Sequence, residues 1–356
     1  MDNQQINKTP ATSAAVITKR GVKMDFEGKI PFKQRLIMRL TSSTFWIDRV
    51  WYLFRFILML GISFVILDPF LDKMLTSVWP LSDFSNTQVN LIPTRISFNI
   101  YVKLAENWHY LTILRNTLIL STLTAALQTL VTCMIGYGLA KFRFKGNKLI
   151  LILVIVTMAI PHKTLMLSLF QHFGEFDLFA IQATNMPGLI ELITHKTLRL
   201  TNSFWPFAIM SATGLAFKNG LYIFMMRQFF HGVPDELEES AYVDGSGTFR
   251  TFFQIILPLS IPMMITIFLF AFSWQWTDSF YTNLFFTSST GGVGLMKDLL
   301  GSPPTALQVT NQSIRGPYYE AIKNAAGLMI IFPLVIVYLF GQRYLIQGIE
   351  RSGIVG

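Results

Sequence analysis

Polar and ionisable side chains set inside long apolar runs are where this sequence could do chemistry, and they are few. Lys218 and Asn219 interrupt one run, and Trp274, Gln275 and Asp278 stand near the end of the next, beside Trp276. A charge at membrane depth faces a protein interior or a water-filled cavity. Aromatic faces next to hydrogen-bonding groups suit a sugar, whose C–H face stacks while its hydroxyls need partners. Each cluster also has a plain reading: Lys218 can be paired structurally at an interrupted helix, and Trp is common at membrane interfaces. This is chemistry of binding and passage. The phosphate-loop pattern Gly-x-x-x-x-Gly-Lys-Ser/Thr is absent from the sequence, as are His-Glu-x-x-His and Gly-x-Ser-x-Gly. His162 follows Pro161 at a break in a third run and has no second and third ligand at useful spacing, so it reads as interfacial. Cys133, the single cysteine, reads as a small buried residue.

The elements that must position these residues are membrane helices. The chain has 356 residues, 52% of them hydrophobic and 14% charged, against roughly 25% charged in an ordinary soluble domain. The net charge of +9 sits largely in short segments beside apolar runs. There it sets membrane orientation, and nucleic acid is not an expected partner. Before Arg49 there is no apolar stretch of the kind a cleavable signal peptide carries. Residues 1–45 are polar and basic, which predicts a flexible cytoplasmic tail.

A bilayer core of about 30 Å takes roughly 20 apolar residues of helix. Six segments meet or approach that length: about 50–67, 117–139, 149–169, 204–230, 259–286 and 325–346. In the first, Arg55 can snorkel to the interface. The expected fold class is an all-α membrane protein with six transmembrane helices, organised as a tail (1–45), a membrane domain (46–346) and a short C-terminal tail (347–356). Six crossings put both termini on one side. The N-terminal stretch through Arg49, the loop 141–148, the segment 227–258 and the chain end from Arg343 carry 17 Lys and Arg, against ten on the much longer alternate loops. Both termini are therefore expected in the cytoplasm.

Between the fourth and fifth spans, residues 231–258 read as two short helices and a turn. Pro234 suits a first helical position. Asp235, Glu236, Glu238 and Glu239 crowd the positive end of the helix dipole, and Leu237 and Ala241 supply a small apolar face. Gly245 can take the left-handed conformation that ends the helix. Thr248 is a candidate N-cap for the second helix, and Pro258 a break or kink at the membrane entry. A cytoplasmic helix–turn–helix held between two spans can fill a groove on a partner.

The same loop resembles the signature loop of permease subunits of binding-protein-dependent ABC importers, Glu-Ala-Ala, three residues, Gly, nine residues, Ile-x-Leu-Pro. Glu239, Ala241, Gly245, Ile255, Leu257 and Pro258 match in register, and Ser240 replaces the first Ala. The run 223–230, Arg115-Asn116-Thr117 and 137–146 are similar to the carbohydrate-uptake group. The ending Gln342-Arg343-Tyr344-Leu345-Ile346-Gln347-Gly348 resembles the tail of the maltose-type subunit, which reaches the ATPase in that relative. The resemblance covers about residues 50–356 and implies a type I ABC importer fold in the bacterial cytoplasmic membrane. It implies no bound cofactor, with ATP hydrolysed by a partner ATPase dimer coupled through Glu239, Ser240, Ala241, Asp244 and Gly245. It further implies a second homologous permease subunit, an extracytoplasmic solute-binding protein and, as cargo, a sugar or oligosaccharide.

Two other readings stand beside it. One is an ABC permease for a different solute; the other is a secondary transporter working without ATP, which would not need an ATPase-docking loop. A membrane-embedded hydrolase lacks a convincing residue constellation.

Overall fold

The computed structural model describes residues 43–86, 88–89, 92–177, 188–286, 293–301 and 304–353. Nearly all of the tail expected at 1–45 lies outside these residues. The chain divides into two compact units, Met1–Pro69 and Phe70–Gly356. Helix α1 (Ser43–Ser77) begins in the first. From 46 to 69 every one of its side chains is exposed, including Trp51, Phe54, Leu60 and Val65. An apolar helix exposed all round is one whose solvent is lipid or another apolar surface.

In the second unit α2 (Asn99–Asn107) precedes the central element, α3 (Tyr110–Lys141), and α6 (Leu189–Thr194) lies between the third and fourth expected spans. Helix α3 packs against α11 (Leu257–Trp276), α8 (Asn219–His231) and α7 (Trp205–Ala212). Its buried face is small and weakly polar: Ser121, Ala125, Thr129, Cys133 and Gly136. Small residues let membrane helices approach closely. At Gly136 a Cβ atom would lie 2.5 Å from Met226 Cβ and 3.0 Å from the Arg227 nitrogen. Thr124 and Thr132 hydroxyls donate to carbonyls one turn back, at 2.8 and 2.7 Å, so burying them leaves no orphaned donor.

The six expected spans do not all become straight crossings. Four helical stretches are long and apolar enough to span a bilayer: Trp46–Ser77, Tyr110–Lys141, Thr248–Trp276 and Ile314–Leu345. The third expected span is a bent pair, Asn147–Ala159 (α4) and His162–Gly174, turned by 92°. Its second limb is a 3-10 turn followed by α5 (Met166–Gly174). The cause is Pro161, which disfavours helix at the residue before it; Ile160 is extended (φ −72°, ψ 121°). The fourth is divided into α7 and α8 by residues 213–218. Gly214 (φ 76°) and Lys218 (φ 66°) both take left-handed backbone there.

The fifth is continuous from Thr248, through a π-turn at Phe252–Ile256, to Trp276. Pro258 thus neither ends nor breaks it: the wider π-turn, closed by Leu257 N–H on the Phe252 carbonyl, accommodates the missing N–H. The expected continuation to 286 is instead a turn and a separate helix, α12 (Phe280–Phe285). The sixth grows to α13 (Gln312–Gly353), with Pro317 and Pro333 inside. Pro333 cannot donate to the Met329 carbonyl. The Tyr110 hydroxyl donates to that oxygen at 3.0 Å, and Trp276 Nε1 donates to the next carbonyl, Ile330, also at 3.0 Å.

The close α3–α8 contact is testable. Gly136→Ala is expected to destabilise by about 1–3 kcal/mol through overpacking. Gly138→Ala, where no atom lies within 4 Å of an added Cβ, should be nearly neutral. Thermal unfolding of the two purified variants in micelles compares them.

Candidate coupling loop and membrane cavities

The loop after α8 is built around α9 (Glu236–Val243), with Asp235 at its N-cap position. Pro234 lies just outside the helix, not at its first position. Glu236, Glu238 and Glu239 occupy the first turn, where the dipole favours acids. Gly245 (φ 81°) ends α9. Its N–H donates to the Tyr242 carbonyl at 3.0 Å, and that of Ser246 to Ala241 at 2.9 Å, a left-handed helix termination. The short α10 (Thr248–Thr251) follows, capped by extended Gly247 instead of Thr248; the Thr251 N–H donates to the Gly247 carbonyl at 2.9 Å. Buried Thr251 hydrogen-bonds Ser246 through their hydroxyls at 3.1 Å.

The motif residues divide by exposure. Ala241 is buried, whereas Glu239, Ser240, Asp244 and Gly245 are exposed. Ile255 and Leu257 lie on either side of fully buried Ile256, with Pro258 exposed. Two apolar residues that motif reasoning passed over, Val243 and Phe249, are 87% and 79% exposed on either side of the Gly245 turn.

Sequence reasoning also passed over what holds the loop. Lys141, the last residue of α3, has its Nζ 2.6 Å from the Val233 carbonyl, 2.5 Å from Asp235 Oδ1 and 3.9 Å from Glu238 Oε1. The Tyr137 hydroxyl, one turn earlier, donates to Glu238 Oε2 at 3.4 Å. Its ring packs against Phe142, Phe230 and Phe252, joining four segments. The two carboxyls around the lysine respond oppositely. The Lys141 hydrogen bond holds exposed Asp235 below the usual carboxylate range. Burial pushes Glu238 up, and the more distant lysine only partly offsets it. Asp235 therefore strengthens the tie above the ordinary carboxylate pKa, and that contribution is lost as pH falls through its lowered value. The only sequence signal was a basic residue at a helix end and an acidic cluster 94 positions later.

Of the expected solute-path residues, the structure brings Lys218 and Trp274 together and gives Asp278 a backbone role. Lys218 Nζ lies 4.9 Å from the Phe217 ring and 5.3 Å from that of Trp274, a cation–π arrangement. Asn219 is buried beside it. Trp274 is half exposed, and the buried Gln275 Nε2 has no partner among the described residues. Asp278 is a helix cap: its carboxylate accepts the backbone N–H groups of Phe280, Tyr281 and Thr282 at 2.8–3.3 Å. Trp276 is buried and bonded to α13. His162 Nδ1 is 2.7 Å from the Tyr281 hydroxyl and its ring packs on Phe217. It joins the bent third span to α12.

Two cavities result. One, of about 570 Å³, lies between the bent third span and the divided fourth, with Lys218 and Asn219 in its wall. The other is an open cleft of about 980 Å³ at the end of α3 remote from Lys141; Trp108, Thr112, Trp276, Asn283, Lys297 and Asp298 contribute to it. At the chain end, Gln342 and Arg343 are exposed and Arg343 stacks on Tyr344 at 4.7 Å. Gly348 lies within α13, which carries the expected tail as far as Gly353 as helix; residues 354–356 are outside the described set.

Lys141→Met should cost about 1–3 kcal/mol by leaving the Glu238 carboxyl buried without its cation. The pair Lys141→Met with Glu238→Gln should recover part of that loss. Thermal unfolding of the single and double variants reads both.

The chain is similar to curated and solved ABC transporter proteins. The arabinooligosaccharides transport system permease protein AraQ of Bacillus subtilis is 27% identical over 301 residues, 83% of this chain and 92% of that protein. The galactooligosaccharides transport system permease protein GanQ of the same organism is 25% identical over 312 residues, 85% and 95%. A chain of a bacterial ABC transporter involved in the import of the acidic polysaccharide alginate superposes with a TM-score of 0.62 at 20% identity, over 85% of this chain and 98% of that one. That likeness speaks for the fold, an all-α type I importer fold. Residues 132–351, more than half of the chain, match the family described as binding-protein-dependent transport system inner membrane component, and the chain belongs to that family.

Proposed function

We propose that this chain is one of two permease subunits that together enclose a path for an oligosaccharide or smaller sugar, driven by ATPase subunits docked on the loop around Glu239–Gly245. The observation that carries the reading is that loop's construction. Glu239, Ser240, Val243, Asp244 and Phe249 are presented to a partner, while Lys141 and Tyr137 tie the loop's base to α3 and α10 runs without a break into α11. Closure of an ATPase dimer would then push on two long helices at once, a rigid-body route to a bistable bundle. The chain itself would bind no nucleotide. Both termini and the loop would face the cytoplasm, as the distribution of basic residues favours. The C-terminal residues from Gln342 onward would extend toward the ATPase.

The cargo assignment rests on the relatives named for oligosaccharide transport. The open cleft at the far end of α3 supports it too. Its mixture of Trp faces, amide, hydroxyl and charged groups is what a polyhydroxylated solute delivered by an external binding protein would need. Trp108 Nε1 is buried there without a partner among the described residues.

Two measurements test this reading. Gly245→Val forces a β-branched residue to φ 81°, a strained conformation; sugar uptake in membrane vesicles and ATPase copurification should both fall at least about tenfold. Normal uptake would defeat the coupling assignment. Trp108→Phe removes the indole N–H and part of the ring face while keeping an aromatic side chain; it should raise the half-saturation concentration for uptake about fivefold while leaving ATPase copurification unchanged.

A further inference from the structure

The 570 Å³ cavity between the bent third span and the divided fourth falls within the roughly 300–1,000 Å³ of small-molecule sites, but its chemistry is not that of a sugar site. Ile160, Leu165, Leu169, Ile209, Met210 and Leu215 represent its mostly apolar wall. Most of its polar groups are already engaged. Thr157 and Thr213 hydroxyls donate to their own helices. His162 and Tyr281 hold each other. Asp177 accepts the N–H groups of Ile190 and Glu191.

His172 sets its ring edge-on against Phe173 and Phe176. Beyond it, what remains is one pole. Lys218 has no carboxylate within reach among the described residues and only ring faces beside its ammonium. Asn219, 1% exposed, has neither amide atom hydrogen-bonded there. A buried amide without partners costs about 1–3 kcal/mol, and an uncompensated cation at membrane depth costs more. This pole sits at the start of α8, about 20 Å along the helix from His231, well inside a core of about 30 Å. The opening is apolar too: Leu215 is 70% exposed, and Met158 and Leu165 more than 40%. An occupant would enter through a hydrophobic mouth and end on a cation and an amide.

We propose that this cavity binds a single-chain anionic amphiphile, of the long-chain fatty acid class, with its carboxylate on Lys218 Nζ and Asn219 Nδ2 and its alkyl chain along the apolar wall. A sugar would need hydrogen-bonding partners along its whole length, and His172 apart, this cavity has them free only at the Lys218–Asn219 pole. The inference needs the cavity and a bilayer, and does not depend on the transport reading above.

The test is photolabelling of the full-length chain, in its assembled transporter in phosphatidylcholine vesicles, with a C16 fatty acid carrying a mid-chain diazirine. Labelled peptides are mapped by mass spectrometry. Label is expected on the wall around Leu165 and Ile209, displaced by excess palmitate. Lys218→Met and Leu215→Trp, which plugs the mouth and spares the pole, should each reduce it about tenfold, while label on exposed α1 stays constant. The methyl ester of the probe should label α1 but not the wall. Equal wall labelling by acid and ester, or labelling unchanged in both variants, would mean annular lipid and would overturn the proposal. So would an unlabelled wall beside a labelled α1, because another protein segment would then fill the mouth.

Discussion

Inside a bilayer no water is available to satisfy a backbone carbonyl that has lost its donor, so every interruption of a helix must be repaired by the protein itself. This chain carries several interruptions, and its tertiary structure is organised around their repair. Pro333 deprives α13 of a bond, and the groups that supply replacements in that region come from two other helices, Tyr110 at the start of α3 and Trp276 at the end of α11. Repairing one helix thus joins three. At Pro258 the repair is local, a π-turn that lets the fifth span run unbroken from Thr248. At Pro161 the chain turns by 92° instead. Where Gly214 and Lys218 adopt left-handed backbone, the helix is abandoned and restarted, and a cavity opens beside the gap.

The loop between α8 and α11 depends on a second joining interaction. α9 has eight residues, too few to hold a helix by propensity alone. Lys141 engages a carbonyl and two carboxylates at its entry, and the Ser246–Thr251 contact closes its exit. With both ends held, the exposed residues around Gly245 are displayed on a fixed frame. The frame connects to α3, whose Gly136 face meets α8 too closely for any side chain. On the proposed coupling, a push on the loop would meet tightly packed helices and be transmitted as displacement instead of being absorbed as local bending.

Much of this was legible in one dimension. The apolar runs, the basic bias of alternate loops and the spacing from Glu239 to Pro258 are local patterns. They depend on solvent and backbone geometry, so membrane helices and a two-helix loop could be read from them directly. Gly245 was legible for the same reason, since a helix end needs a residue tolerant of positive φ. Less legible was how polar residues near span ends are used. Asp278, next to two Trp residues, looked available to a ligand, but it caps α12. Trp276 contributes to the open cleft and also donates its N–H to α13. His162 has a partner that its spacing does not suggest, the Tyr281 hydroxyl on α12.

By itself, then, the sequence determined which segments partition into lipid and where the helix–turn–helix lies, because hydropathy, charge bias and turn chemistry act over a few neighbouring residues. Only the tertiary structure decided which spans are straight, bent or divided, because a proline or a left-handed residue can be repaired or left as a break according to which donors pack against it. It also decided the fate of the polar residues with which the reading began. Lys218 and Asn219 turn into an apolar cavity, Asp278 serves its own backbone and Trp276 mends another helix. The Asp278 cap is local, but the other outcomes rest on contacts between residues tens of positions apart, such as Lys218 with Trp274 and Trp276 with Ile330, which spacing along the chain does not encode.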